Sequence, residues 1–299
     1  MILVVGATGV VGGMITSRLL ERGDEVRILV RRNSPSEQLA REGRATSAEE
    51  LIAAGASPAY GDMRDRASLG AALEGVQTVV STANSAARGG DDNLQTVDLE
   101  GNRNLIEAAR DAGVGRFVFI SALGAAVESP VPFLQAKGQS EASLLESGME
   151  YTILAPNPYM EVWVAVVVGM PALQSRPVVL VGEGRRRHSF VSNRDVAAFA
   201  VEAVDHPSAR DQHLLIGGPE ALSWRDVVAT YERVLGRQLP VEFVAVGDPV
   251  PLPDPMPALL AAMETYDSVI EMEEVSRTFD VPLTRLDTFV REQTSSQHP

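Results

Sequence analysis

The chain opens on an unbroken apolar run, Ile2–Val5, the pattern of a strand covered on both faces. Met14, Ile15, Leu19 and Leu20 then recur at helical spacing, and Gly23 stops the helix before a second apolar strand at 25–30. The alternation continues. Strands are predicted at 57–60, 76–80, 117–120 and 151–154, with helices at 65–73, at 94–112 through Val97, Leu105, Ile106 and Ala109, and at 133–147. Strand and helix in strict turn predict a doubly wound, parallel α/β sheet of the Rossmann kind, joined by right-handed crossovers. The character changes after residue 155. Residues 159–173 are aromatic, Met-bearing and Val-rich, and a hairpin is predicted over 178–191. A helix at 195–204 and a strand at 213–216 return to the sheet. The tail carries helices at 223–235 and 257–274, with the proline-rich 249–257 as a stiff spacer. The expected domains are therefore 1–155, to which 193–217 returns, and a smaller C-terminal substrate subdomain made of 156–192 and 218–299.

The turn after the first strand carries the chemistry. Gly6, Gly9 and Gly12 stand in a G-x-x-G-x-x-G arrangement: the first permits a tight turn, the second lets a phosphate approach the backbone, and the third lets helix pack on strand. A helix that begins there points unpaired N–H groups and the positive end of its dipole at a pyrophosphate. A dinucleotide fold selective for NAD carries a carboxylate at the end of its second strand; here the position reads Arg31-Arg32, and two guanidiniums suit a 2′-phosphate. NADP(H) is thus expected in preference to NAD(H). The polar connection 33–55 is an exposed insertion with a short helix starting near Thr46 or Ser47. Small residues fill the loop 81–87 at the end of the fourth strand and suit a flat ligand, with residues 88–92 as a lid. The run Arg185-Arg186-Arg187-His188 reads as a solvated turn.

Composition narrows the partners. A formal charge of −14 argues against nucleic acid or an anionic membrane surface. There is no cysteine, which removes thiol chemistry, and the four histidines show no metal-ligand spacing. The longest apolar stretch, 162–173, is broken by Gly169 and Pro171 and is short of the about 20 residues a bilayer crossing takes. A cytoplasmic monomer or homodimer acting on a small molecule is expected. One count stands out: of 26 basic residues only Lys137 is lysine.

Taken together, GATGVVGG, LVRR, GDMRD, FVFISALGA, the K-x-x-x-E of Lys137 and Glu141, YTILAPNPYME and RHSFVSNRDVA resemble the NmrA-like, atypical branch of the short-chain dehydrogenase/reductase superfamily. The resemblance implies that Gly6, Thr8, Gly9, Val10, Val11 and Gly12 meet the pyrophosphate and Arg31, with Arg32 beside it, the 2′-phosphate. It assigns Asp62 and Met63 to the adenine, and Thr82, Ala83 and Asn84 to the border of the nicotinamide. Two departures matter: the tyrosine of the superfamily's Tyr-x-x-x-Lys pair is Phe133 here, and the family's Arg-Pro after the sixth strand is Ala155-Pro156.

Lys137 has two jobs open to it, holding the nicotinamide ribose or also donating a proton. An ordinary lysine, of pKa about 10.4, is a poor acid near neutrality, so the second job requires burial or a nearby cation. Ser121 and Tyr159 are alternative donors. Phe133, Tyr159, Met160 and Trp163 are candidates to line an apolar substrate pocket, with plain core packing as the other reading of the last three. Two functions follow: an NADPH-dependent reductase delivering hydride to an apolar quinone, enone or carbonyl compound, or a non-catalytic NADP-sensing regulatory or scaffold protein.

Overall fold

A computed structural model describes residues 1–32, 36–41, 45–85, 89–252 and 256–295. Parts of the 33–55 insertion, of the 81–87 loop, of the expected lid at Arg88 and of the proline-rich spacer lie outside the described residues. The chain divides into two compact units, residues 1–155 with 196–215, and residues 156–195 with 216–299.

The first unit is built on a seven-stranded sheet. In chain order its strands are β1 (Ile2–Val5), β2 (Val26–Val30), β3 (Ser57–Tyr60), β4 (Thr78–Ser81), β5 (Arg116–Ile120), β6 (Glu150–Pro156) and β8 (Gln212–Ile216), arranged β3-β2-β1-β4-β5-β6-β8. The pairings from β3 through β6 are parallel, with Val5 opposite Leu29 and Ser81, and Ser81 opposite Phe119. All four residues of β1 are buried, which is why that run carries no polar position. Leu3, Leu105, Phe117, Phe119, Leu144 and Ile153 belong to a core that joins strands to helices. Strand order reverses between β1 and β4. The carboxyl ends flanking that switch point are where an open α/β sheet receives its ligand. β8 arrives late in the chain, tied in by the Thr152 hydroxyl donating to Ala209 O (2.7 Å) and by Asp211 N donating to Tyr151 O (2.8 Å).

The helix expected over 94–112 and the apolar run after residue 159 both open wider than an α-helix. Residues Leu94–Leu99 and Met160–Gly169 wind with π geometry before continuing as α-helices Glu100–Asp111 and Met170–Leu173. The first is started by Asn93, whose side chain accepts from Gln95 N and Thr96 N while Asn93 N donates to Thr96 Oγ1.

The second unit corrects two expectations and adds a helix. The hairpin at 178–191 is absent: β7 (Val178–Val181) pairs in parallel with β9 (Val241–Val244), Val178 opposite Val241, while His188 bridges Leu222 and Ser268. A Val-rich run suits a strand in any pairing, so its partner was not legible locally. The helix expected over 257–274 is two, Met256–Met263 and Glu273–Thr278. The interval is extended because Ser268 O accepts from Ser189 N and from the Asn157 amide, and Asp267 from Arg187 N. A further helix, Leu286–Ser295, buries Phe289 and Val290 against the helix Trp224–Leu235, within a core that includes Trp224, Tyr231 and Phe190.

Candidate functional site at the carboxyl ends of the strands

The glycine turn is shaped by contacts that tolerate no side chain. Gly6 has φ +86, and a Cβ on it would lie 2.5 Å from Thr82 Oγ1; a Cβ on Gly12 would overlap the Gly6 carbonyl. Helix Val10–Arg22 therefore presses onto the turn. Its N-cap is Gly9, no side chain caps it and no acid occupies its first turn, so its leading N–H groups are offered to a ligand anion. Thr8 is buried, Val11 half-buried, and Val10 exposed beside them. Sequence reasoning passed over Gly13, where a Cβ would overlap Thr46; Thr46 N donates to Thr8 O (2.9 Å) and so pins the turn to the 45–47 segment. The helix at Ser47 forms as Ala48–Ala53, with the Ser47 hydroxyl accepting from Glu50 N.

At the end of β2 the two arginines are not alike. Arg31 makes a two-bond fork with Asp92, Nη1 to Oδ1 at 2.8 Å and Nη2 to Oδ2 at 2.7 Å, while Arg32 lies over the Tyr60 ring at 4.4 Å from its centroid. Arg64 extends the network to Asp62 (2.7 Å) and Asp92 (3.3 Å). Burial works against ionisation of Asp62, but hydrogen bonds from Arg64 and the charges of Arg64 and Arg31 outweigh it and hold the carboxyl below its ordinary range. Asp92 belongs to the segment expected as a lid. It is largely buried and ion-paired. Beside this network a cavity of about 240 Å³ is lined by Gly6, Thr8, Arg31, Asp62, Met63 and Asn84, among others. Asp62, Met63 and Arg31 thus meet the glycine turn in one hollow.

The loop after β4 lies next in line. Thr82 N donates to Val5 O (2.9 Å), Asn84 reaches back to Thr82 O (3.4 Å), and Ala83 joins the core. Ser85 N donates to Asp98 Oδ2 (3.0 Å); Asp98 is fully buried and its other carboxylate oxygen has no partner among the described residues.

Lys137 is 3% exposed. Its Nζ donates to Ile120 O at the end of β5 (2.9 Å) and stands 4.7 Å from the Phe119 ring centroid and 5.9 Å from that of Phe133. Burial lowers its pKa, the charges of Asp98 and Glu141 resist, and the result is about 8. The helix Pro132–Glu146 reaches this depth because Gly138 lies against the Ala126 backbone with no room for a side chain. One residue beyond β5, the Ser121 hydroxyl donates to Glu141 Oε1. Ser121 and Lys137 thus both attach to the end of β5.

The remaining residues lie in the second unit. Tyr159 is half-buried and burial raises its phenol pKa, Met160 is enclosed in that unit's core, and Trp163 packs against the same cluster. Met160 and Trp163 both contribute to the packing there. In the basic run Arg185 and Arg186 are exposed, but His188 is fully buried with Nδ1 2.7 Å from Ser268 Oγ. Among the described residues no group of three His, Asp or Glu is arranged to hold a metal, and no helix is long and apolar enough to cross a membrane.

Fold and site together define a doubly wound dinucleotide-binding architecture. The chain belongs to the NmrA-like family, which it matches over residues 1–293. It is 33% identical over 246 residues to an NAD(P)H azoreductase of Xenophilus azovorans, covering 82% of this chain and 77% of that protein. Identity to a photosystem II assembly factor of Synechocystis is 31% over 236 residues, covering 79% and 68%. In fold it is similar to the NADPH-dependent quinone oxidoreductase of Escherichia coli solved with NADPH, with a TM-score of 0.79 at 24% identity over 98% of this chain and 100% of that one.

Proposed function

We propose that this protein is an NADPH-dependent reductase that passes hydride to an apolar quinone, enone or carbonyl compound. The observation that carries the proposal is Lys137: the chain's one lysine, buried at the end of β5 with an amine of pKa about 8. A buried ammonium is costly, and a hydrophobic side chain would pack more stably in its place. Near neutrality such an amine both holds ribose hydroxyls and gives up a proton, which an arginine does not.

The residues fit a dinucleotide. The side-chain-free contacts at Gly6 and Gly12 and the uncapped helix start suit a pyrophosphate, and Asp62 and Met63 suit an adenosine end. Arg31, Arg32 and Arg64 supply the cationic side chains for a 2′-phosphate, which is the basis for proposing NADP over NAD. When bound and reduced, the nicotinamide supplies the hydride. Thr82, Ala83 and Asn84 would border its ring, and Lys137 would hold the adjoining ribose. Phe133 gives the acceptor an apolar wall and no proton.

The second reading, an NADP-sensing regulatory protein, draws on the similarity to a photosystem II assembly factor and on a phenylalanine at the tyrosine position. Consumption of NADPH against a panel of quinones, enones and azo dyes separates the two. Turnover supports the reductase. Saturable NADPH binding with no consumption against any acceptor would move the assignment to the sensor.

A further inference from the structure

We propose that Glu141 and His213 form a proton relay from solvent to Ser121 at the end of β5, and that this relay replaces the proton donor lost with phenylalanine at position 133. The inference rests on the reductase reading above and names the route by which that site would be resupplied with protons.

The geometry is a continuous chain of three polar side chains through one wall of the first unit. Ser121 is buried and its hydroxyl donates to Glu141 Oε1; Glu141 Oε2 lies 3.5 Å from His213 Nε2. Exposure runs the other way: the Glu141 side chain is 12% exposed and that of His213 43%. The inner end stands where an open α/β sheet receives its ligand, and the outer end is in water. Three elements far apart in sequence supply the links, namely the end of β5, the helix Pro132–Glu146 and strand β8. Glu141 meets His213 from the helix, and the charges one step further in are Lys137 and Asp98. Its hydrogen bond with Glu141 is the largest of the effects that raise the His213 pKa, against burial, which lowers it.

The step balances as follows. An acceptor oxygen that has become anionic on hydride delivery takes the proton of Ser121 Oγ. The Glu141 carboxylate takes a proton from the His213 imidazolium on Oε2, turns that protonated oxygen toward Ser121 and reprotonates Oγ, and His213 takes a proton from water, leaving hydroxide to the solvent. One proton enters from solvent, one reaches the product, and each relay residue ends as it began. Glu141 and His213 act through Ser121 and so are positioning residues.

Two acceptors separate a relay from a scaffold. A quinone consumes a proton when reduced, whereas a cationic carbenium dye becomes neutral on accepting hydride and needs none. In His213→Gln and Glu141→Gln, kcat on the quinone at pH 8 is expected to fall about tenfold or more, within the range general acid catalysis supplies. Turnover of the dye should stay within about twofold in the same variants. Glu141→Asp should recover part of the quinone rate. A second readout needs no turnover: the NMR titration midpoint of His213 should drop toward the ordinary value of about 6.5 in Glu141→Gln. Equal losses on both acceptors, no loss on either, or an unchanged His213 midpoint would overturn the relay and leave the reductase standing. If the unmodified protein reduces neither acceptor, the reductase reading fails and the relay fails with it, whatever the histidine titrates at.

Discussion

Arg31 presents both arms of its guanidinium to Asp92, the same bidentate face that a 2′-phosphate would take. On the proposed reading, binding of a phosphorylated ribose at this end would exchange one anion for another. The preference would then depend on how much better a dianionic phosphate satisfies Arg31 than the carboxylate already in place.

Removing the competitor should sharpen selectivity. Asp92→Asn is expected to tighten NADPH binding about tenfold, or about 1.4 kcal/mol, while NADH affinity changes by less than about twofold. Arg31→Ala should erase the difference between the two cofactors. Titrations of each nucleotide by fluorescence measure both, and an unchanged NADPH to NADH ratio in Asp92→Asn would show that Asp92 does not compete.

Lys137→Met should be more stable and inactive. With a folded pKa of about 8 against an ordinary 10.5, the fold disfavours the ammonium, so the unfolded chain holds the extra proton between those values. Stability of the natural protein from this group is thus lowest below pH 8 and rises with pH through that window. Methionine removes the burden, worth up to about 3 kcal/mol at pH 7 and shrinking to nothing near pH 10.5. Urea unfolding across pH reads the converging curves. Lys137→Arg carries a charge that cannot be shed and should unfold more easily than either.

The two adjacent glycines of the cradle should respond differently to repair. Gly12→Ala sets a methyl against the Gly6 carbonyl, which is backbone and cannot move aside, so loss of NADPH binding and about 1–3 kcal/mol of stability is expected. Gly13→Ala meets the side chain of Thr46 first, and Thr46→Gly in the same protein should restore binding. Rescue of Gly12→Ala by that second change would contradict the contacts described.

What sequence made legible was local. Gly6, Gly9 and Gly12 announce a tight, side-chain-free turn because three residues within a seven-residue stretch shape one feature, and Arg31 is read from its place after an apolar strand. Asp92 was expected in a lid, since nothing near it in sequence says that Arg31, 61 positions away, will hold it. His213 likewise looks like an ordinary strand residue until β8 lies beside β6. The same limit explains β7: a valine run declares a strand, and only the folded chain declares that Val241–Val244 is its neighbour.

The late arrival of β8 bears on how the protein is made. As the chain leaves the ribosome, β6 emerges with one edge unpaired, and the strand that covers it follows only after residues 157–211 have been synthesised. An uncovered edge of a parallel sheet invites pairing with a neighbouring chain. A gene shortened after residue 155 would therefore yield an insoluble fragment, and the nascent protein passes through that same vulnerable length each time it is translated.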